Sequence, residues 1–241
     1  MTDVQKDGVT IEVTVAAPVE TVWHSLRDPA WIRRWHGWHF DGLDEEIELI
    51  YGTEAREGEQ PYVLLIDGGD QFVLSEHLGG TLVRITRAPP GGNPEWDAYY
   101  DDITEGWTSF LQQLRFALEH QPGRERRTLF FSSEGLGQSM ASLGVDNPVA
   151  GQRFDVSDPS RPLRAGEVWF VSDHQVGLTL DDLGPGLVVA GIKPTSPASP
   201  DGGAMAILST YGLDDAAFAA VRERWSAWWR SACPGSADPV E

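Results

Sequence analysis

Asp101-Asp102-Ile103-Thr104-Glu105-Gly106-Trp107-Thr108-Ser109-Phe110-Leu111, continued to Leu118, is the stretch that decides the fold. Ile103, Trp107, Phe110, Leu111, Leu114 and Leu118 recur at three- and four-residue steps, which predicts one long helix with a single apolar stripe. Such a stripe must be buried against another element, and the preceding chain supplies strands. Over Gly8 to Ala16, Val9, Ile11, Val13 and Val15 alternate with Thr10, Glu12 and Thr14, the period of a half-buried strand. Glu46 to Tyr51, Tyr62 to Ile66, Gln71 to His77 and Thr81 to Arg87 read as further strands. Asp67-Gly68-Gly69-Asp70 and Gly79-Gly80 supply turns between them. Between the first and second strands, Val22, Trp23 and Leu26 take helical spacing. Asp28-Pro29 then opens a second short helix through Trp31, Ile32 and Trp35.

The rest of the chain repeats this grammar. Gln121-Pro122-Gly123 ends the long helix, and Arg124-Glu125-Arg126-Arg127 reads as a linker. Strands are expected at Thr128 to Phe131, within Gly166 to Leu180, at Gly186 to Lys193 and at Ala204 to Tyr211, with a helix over Glu134 to Leu143. Phe218, Val221, Trp225, Trp228 and Trp229 then mark a second long amphipathic helix. A shift of about 111 residues lays Tyr100 on Tyr211, Trp107 on Phe218, Phe110 on Val221, Leu114 on Trp225 and Leu118 on Trp229. The expectation is an α+β chain of two tandem units, residues 1–123 and 124–241, each an antiparallel sheet wrapped around its own long C-terminal helix.

Composition excludes several classes of function. The 241 residues carry 37 acids against 18 bases, a formal net charge of -19, which opposes binding to a phosphate backbone driven by Lys and Arg. The excess is uneven: Met1 to Gly123 holds 22 acids and 8 bases, Arg124 to Glu241 15 and 10. It reads first as a solubilising surface, and second as a face for a basic partner. No apolar run approaches a membrane span, and the start lacks a basic region followed by an apolar core, so a cytoplasmic protein is expected. The lone Cys233 rules out an intrachain disulfide framework.

Val13-Thr14-Val15-Ala16-Ala17-Pro18-Val19-Glu20-Thr21-Val22-Trp23 resembles the opening strand and helix of the activator of heat-shock protein 90 ATPase homologue family, in the START-like (SRPBCC, Bet v 1-like) superfamily. Asp28-Pro29-Ala30-Trp31-Ile32-Arg33-Arg34-Trp35 is similar to its second short helix, and the Gly106-Trp107 to Phe110-Leu111 stretch to its C-terminal helix. The resemblance implies a helix-grip fold with an apolar cavity between sheet and long helix. The second half lacks the opening Pro and Trp and resembles the fold in element order alone, as a degenerate unit. Tandem helix-grip proteins among polyketide aromatases and cyclases share this architecture.

Trp31, Trp35, His36, Trp38 and His39 form the densest polar-aromatic cluster in the chain, a make-up suited either to a pocket mouth or to a plug at the end of the sheet. His36 and His39, with Asp41 and Glu45 nearby, do not fix a third metal ligand, so no metal is expected. Gly137-Gln138-Ser139-Met140-Ala141 nearly reproduces a nucleophile elbow, but no strand leads directly into it. Asp101-Asp102 and Asp214-Asp215 open long helices and Asp181-Asp182 sits in a turn, which accounts for these acid pairs structurally. No glycine-rich phosphate cradle is present, and no cofactor is expected.

The expected function is therefore non-catalytic binding of a small hydrophobic or aromatic molecule, lined by Trp35, Trp38, His36, His39, His77, Trp107 and Phe110, with Phe218 and Trp225 as counterparts in the second unit. One alternative is an aromatase-, cyclase- or hydratase-like enzyme in which His36, His39 or His77 carries a proton. The other is a co-chaperone-like or regulatory module that binds a protein.

Overall fold

The computed structural model describes residues 8–89, 99–135, 143–184, 186–193, 195 and 200–241. Two compact units account for the chain: residues 1–37 with 41–123, and residues 38–40 with 124–241. The sequence motif around Ser139 and most of the helix expected over 134–143 lie outside the described residues, and Glu134 itself closes a strand.

Unit 1 runs β1 (Thr10–Val15), α1 (Val19–Arg27), α2 (Pro29–Ile32), α3 (Leu43–Ile47), β2 (Ala55–Glu57), β3 (Val63–Ile66), β4 (Gln71–His77), β5 (Gly80–Thr86) and α4 (Tyr100–His120). Its sheet is antiparallel with strand order β1-β5-β4-β3-β2, so the first strand lies beside the last. Val13 faces Val83 and Ile11 faces Ile85 across the β1–β5 pair. The strand alternation then puts Val13, Val15, Phe72, Leu74, Val83 and Ile85 in the core. Helix α4 buries Trp107, Leu111 and Leu114 of the stripe read from its spacing, with Ala117 beside them, while Ile103, Phe110 and Leu118 are half-buried, and Asp101 and Asp102 occupy its first turn, where the helix dipole favours them.

One expected strand of unit 1 is a helix. Glu46 to Tyr51 continues from α3 into a π-helical turn, Glu48–Thr53. The buried residues are Leu43, Ile47 and Tyr51, four apart, whereas Leu49, which a strand would have placed beside Ile47 and Tyr51, is exposed. The four-residue period, begun at Leu43, is the one that buries apolar surface here.

Unit 2 runs β6 (Arg126–Glu134), β7 (Arg153–Asp155), β8 (Ala165–Val171), β9 (Gln175–Leu180), β10 (Gly186–Lys193), β11 (Gly203–Tyr211) and α5 (Asp215–Ala232). The strand order β6-β11-β10-β9-β8-β7 repeats the scheme of unit 1. Asp214 caps α5 by accepting a hydrogen bond from Ala217 N at 2.8 Å. Phe131, Leu178, Val188, Ala206, Trp225 and Trp229 belong to one core between sheet and helix. Gly166 permits the β8–β9 approach, since a Cβ there would lie 1.9 Å from Thr179 O.

The expected linker Arg124 to Arg127 is half strand: Arg126 and Arg127 open β6, opposite Tyr211 and Thr210. Cross-strand pairing claims a charged run that composition alone assigns to a loop. Arg126 is buried, which lowers its pKa to about 10, while burial raises the facing Tyr211 to about 12. The two long helices begin 115 residues apart, at Tyr100 and Asp215, and Tyr211 ends a strand where Tyr100 begins a helix. The 111-residue register therefore matches apolar stripes, not structural positions. Among the described residues no helix is long and apolar enough to cross a membrane.

Candidate functional site

The site in unit 1 is built from the turn that follows α2. Asp28 caps α2 by accepting from Ala30 N at 2.8 Å, and the backbone of Trp35 and His36 then closes on Ile32 O at 3.0 and 2.8 Å. This brings both side chains inward. Trp35 is 1% exposed and its Nε1 donates to Ser25 O at 2.8 Å. His36 is also 1% exposed, and both ring nitrogens are engaged. Nε2 lies 2.9 Å from Glu46 Oε1, and Nδ1 lies 3.0 Å from the Tyr51 hydroxyl.

With Glu46 ionised and the imidazole neutral, one arrangement satisfies both ring nitrogens: His36 Nε2–H donates to Glu46, and Tyr51 O–H donates to His36 Nδ1. Tyr51 is suited to the donor role. Its pKa is raised well above the usual tyrosine value, first by burial and then by the Glu46 charge. Arg27 Nη1 holds the Tyr51 carbonyl at 2.7 Å, which fixes the backbone behind the phenol. Glu46 lies at the surface end of the chain, with 39% of its side chain exposed, so the three groups form a hydrogen-bonded path from the interior towards solvent.

Aromatic rings surround the imidazole. Its centroid lies 4.7 Å from Phe110, 5.3 Å from Tyr51, 5.7 Å from Trp35 and 6.0 Å from Trp107. Trp107 in turn packs edge-on against Phe72 of β4 at 5.3 Å. The rings fill the space between helix and sheet. A cavity of about 10 Å³ borders Ser25, Trp31, Trp35, Ala117 and Gln121, room for roughly one water.

Four expected site residues, Trp35, His36, Trp107 and Phe110, thus come together. Gly37, with φ +52°, turns the chain immediately after His36 and splits the sequence cluster. Trp38 and His39 belong to unit 2. Trp38 stacks on Phe130 at 3.7 Å, and His39 N donates to Thr128 Oγ1 at 2.7 Å. His77 stands exposed at the end of β4, opposite Gly80 in the hairpin. Tyr51 and Glu46 were not legible as site residues, because reading their segment as a strand hides the five-residue step that joins them on a helix.

Unit 2 has an open groove of about 340 Å³ lined by His39, Arg127, Thr128, Asp215, Phe218 and Arg222, among others. Arg127 lies 3.8 Å over the Phe218 ring and pairs with Asp215 at 2.8 Å, while Arg222 contacts Glu241. Trp225 is fully buried in the core and packs edge-on against Trp228 at 5.4 Å. Among the described residues no three His, Cys, Asp or Glu side chains are grouped to hold a metal ion.

No family model matches the sequence, and no curated protein does. Solved structures are similar at low identity. The di-domain ARO/CYC BexL from the BE-7585A biosynthetic pathway is 14% identical, with 93% of each chain covered and a TM-score of 0.32. The di-domain ARO/CYC StfQ from the steffimycin biosynthetic pathway is 11% identical over 89% of this chain and 88% of its own, at 0.33. The Aha1 dimer from Colwellia psychrerythraea is 17% identical over 48% of this chain and 98% of its own, at 0.31. The fold assignment itself is carried by the strand orders and helices described above. Two antiparallel sheets, each with its first strand beside its last and each followed by a long helix that packs on it, make this an α+β chain of two tandem helix-grip units.

Proposed function

We propose that the chain is a START-like protein of two domains, 1–123 and 124–241, that holds a small hydrophobic or aromatic molecule between sheet and long helix. In the first domain the ligand would contact Trp35, Trp107 and Phe110 beside the His36 ring; in the second, Phe218 and Trp225 take these places. The observation that carries the reading is His36 itself. A histidine 1% exposed, ringed by four aromatic side chains beneath α4, gives an apolar interior one oriented polar group, the make-up of a small-molecule site. Because the rings fill the space in this structure, binding requires Phe110 or Trp107 to swing aside. Phe110 is the better candidate, being only half-buried.

The test is a titration with neutral aromatic compounds followed by tryptophan fluorescence and by thermal unfolding. Saturable quenching with a rise in Tm is expected, and tighter binding in Phe110→Ala, which removes the ring that must move. No saturable change with any lipid or aromatic probe overturns the reading.

The Tyr51–His36–Glu46 chain favours a second reading, catalysis. Its groups could pass a proton between a bound substrate and solvent, as a cyclase- or hydratase-like reaction requires. This reading expects turnover of a flexible carbonyl substrate that is lost in His36→Gln and lowered in Tyr51→Phe. Equal turnover by the wild type and His36→Gln would refute it.

A further inference from the structure

The two interiors differ in how their polar atoms are satisfied. In unit 1 the buried indole of Trp35 donates to a carbonyl and both nitrogens of His36 are bonded. In unit 2, Trp225 and Trp229 are 0% and 1% exposed, and neither indole N–H has a hydrogen-bond partner among the described residues. They stand one helical turn apart on α5, so both project from the same face, the one packed on the sheet. A buried donor left unpaired is costly, and native interiors nearly always satisfy it with protein, water or ligand.

The core cluster that holds them includes several small residues of the sheet, together with Leu178, Val188 and Leu208. Ala190 faces Ala206, and Ala204 lies beside Ala206 two residues along the same strand; all three belong to the core face. The corresponding face of unit 1 carries Phe72, Leu74, Val83 and Ile85. Phe131 packs against Trp229 with ring centroids 5.5 Å apart. Ser133 follows Phe131 on the same face of β6, opposite Ala204, and its buried Oγ likewise has no partner among the described residues. Two indole N–H donors of the core cluster and one hydroxyl on the β6 face opposite Ala204 thus lack a partner among the described residues.

We propose that the interior of unit 2 recognises a neutral, mainly apolar molecule through acceptor oxygens of the carbonyl class, bonded by Trp225 Nε1–H and Trp229 Nε1–H. This recognition rests on each unit holding a small apolar molecule, as proposed for the chain, and specifies the chemistry in unit 2. Indole is a donor only, so the ligand must accept. The surrounding core cluster is apolar, so the rest of the molecule is apolar and carries no charge.

α-Tetralone, a bicyclic ketone, and tetralin, the same skeleton without the oxygen, are the probes. The ketone is expected to bind about tenfold more tightly, the discrimination one buried hydrogen bond provides. Trp225→Phe and Trp229→Phe retain an aromatic ring and delete the donor; each should lower the preference for the ketone over tetralin about fivefold, whatever the change in apolar contact does to both, with near-UV circular dichroism confirming the native fold. In the wild type, the indole N–H resonances of these two residues should move downfield with tetralone and not with tetralin. Equal affinity for the two compounds, or unmoved indole resonances with the ketone bound, overturns the oxygen recognition while leaving the binding of apolar molecules standing. Failure of both compounds to bind overturns the underlying reading too.

Discussion

Replacing Tyr51 with Phe tests the hydrogen-bonded core of unit 1. The Phe ring keeps the packing against Trp35 and His36, whose centroids lie 5.8 and 5.3 Å from the Tyr51 ring, and removes only the hydroxyl 3.0 Å from His36 Nδ1. His36 is 1% exposed, so water cannot readily replace that partner. Leaving one buried nitrogen unpaired costs about 1–3 kcal/mol. His36→Phe keeps a ring against Trp107 and Phe110 but strands the Tyr51 hydroxyl, at a similar cost; Glu46, 39% exposed, rehydrates. The double variant removes both partners and leaves no orphan, so its loss should fall short of the sum by about 1–2 kcal/mol. Urea unfolding followed residue by residue by NMR reads unit 1 separately from unit 2. Losses that add to within about 0.5 kcal/mol would show that the Tyr51–His36 contact carries no energy, and the reasoning about the buried relay would fail.

Three further outcomes follow from the same structure. Gly166→Ala should destabilise unit 2 by at least about 3 kcal/mol, because the new Cβ would overlap the Thr179 carbonyl and the Phe154 ring; an unchanged unfolding midpoint would contradict the β8–β9 approach. Asp214→Ala removes the cap on α5 and should cost about 1 kcal/mol, recovered in part by Asp214→Asn, as read by thermal unfolding. On raising the pH, tyrosinate absorbance should show Tyr211 and Tyr51 still protonated after an ordinary tyrosine has ionised. The folded state holds those protons more tightly than the unfolded chain, so the tyrosine contribution to stability falls between about pH 10, the unfolded value, and about 12, the Tyr211 value. Full ionisation of all tyrosines at one pH, with the fold intact, would refute it.

The period-two strand β1 and the apolar stripes of α4 and α5 were legible in the sequence, because each local period matches the face that the element buries. Fold class followed, since one-sided sheets and one-sided helices have few ways to cover each other. Boundaries failed where tertiary pairing overrode composition: Arg126 and Arg127 became strand through their pairing with β11, and Glu46 to Tyr51 became helix because Leu43 extended the buried face. The candidate site divides in the same way. Trp35, His36, Trp107 and Phe110 stood out as residue types at helix and turn positions, and they do meet. Which histidine is inside could not be read from the cluster, because a single left-handed turn at Gly37 separates His36 from His39. Tyr51, Glu46 and the unpaired indoles of Trp225 and Trp229 were decided by tertiary structure alone. Hydrogen-bond satisfaction in an interior depends on neighbours distant in sequence, and no local period encodes it.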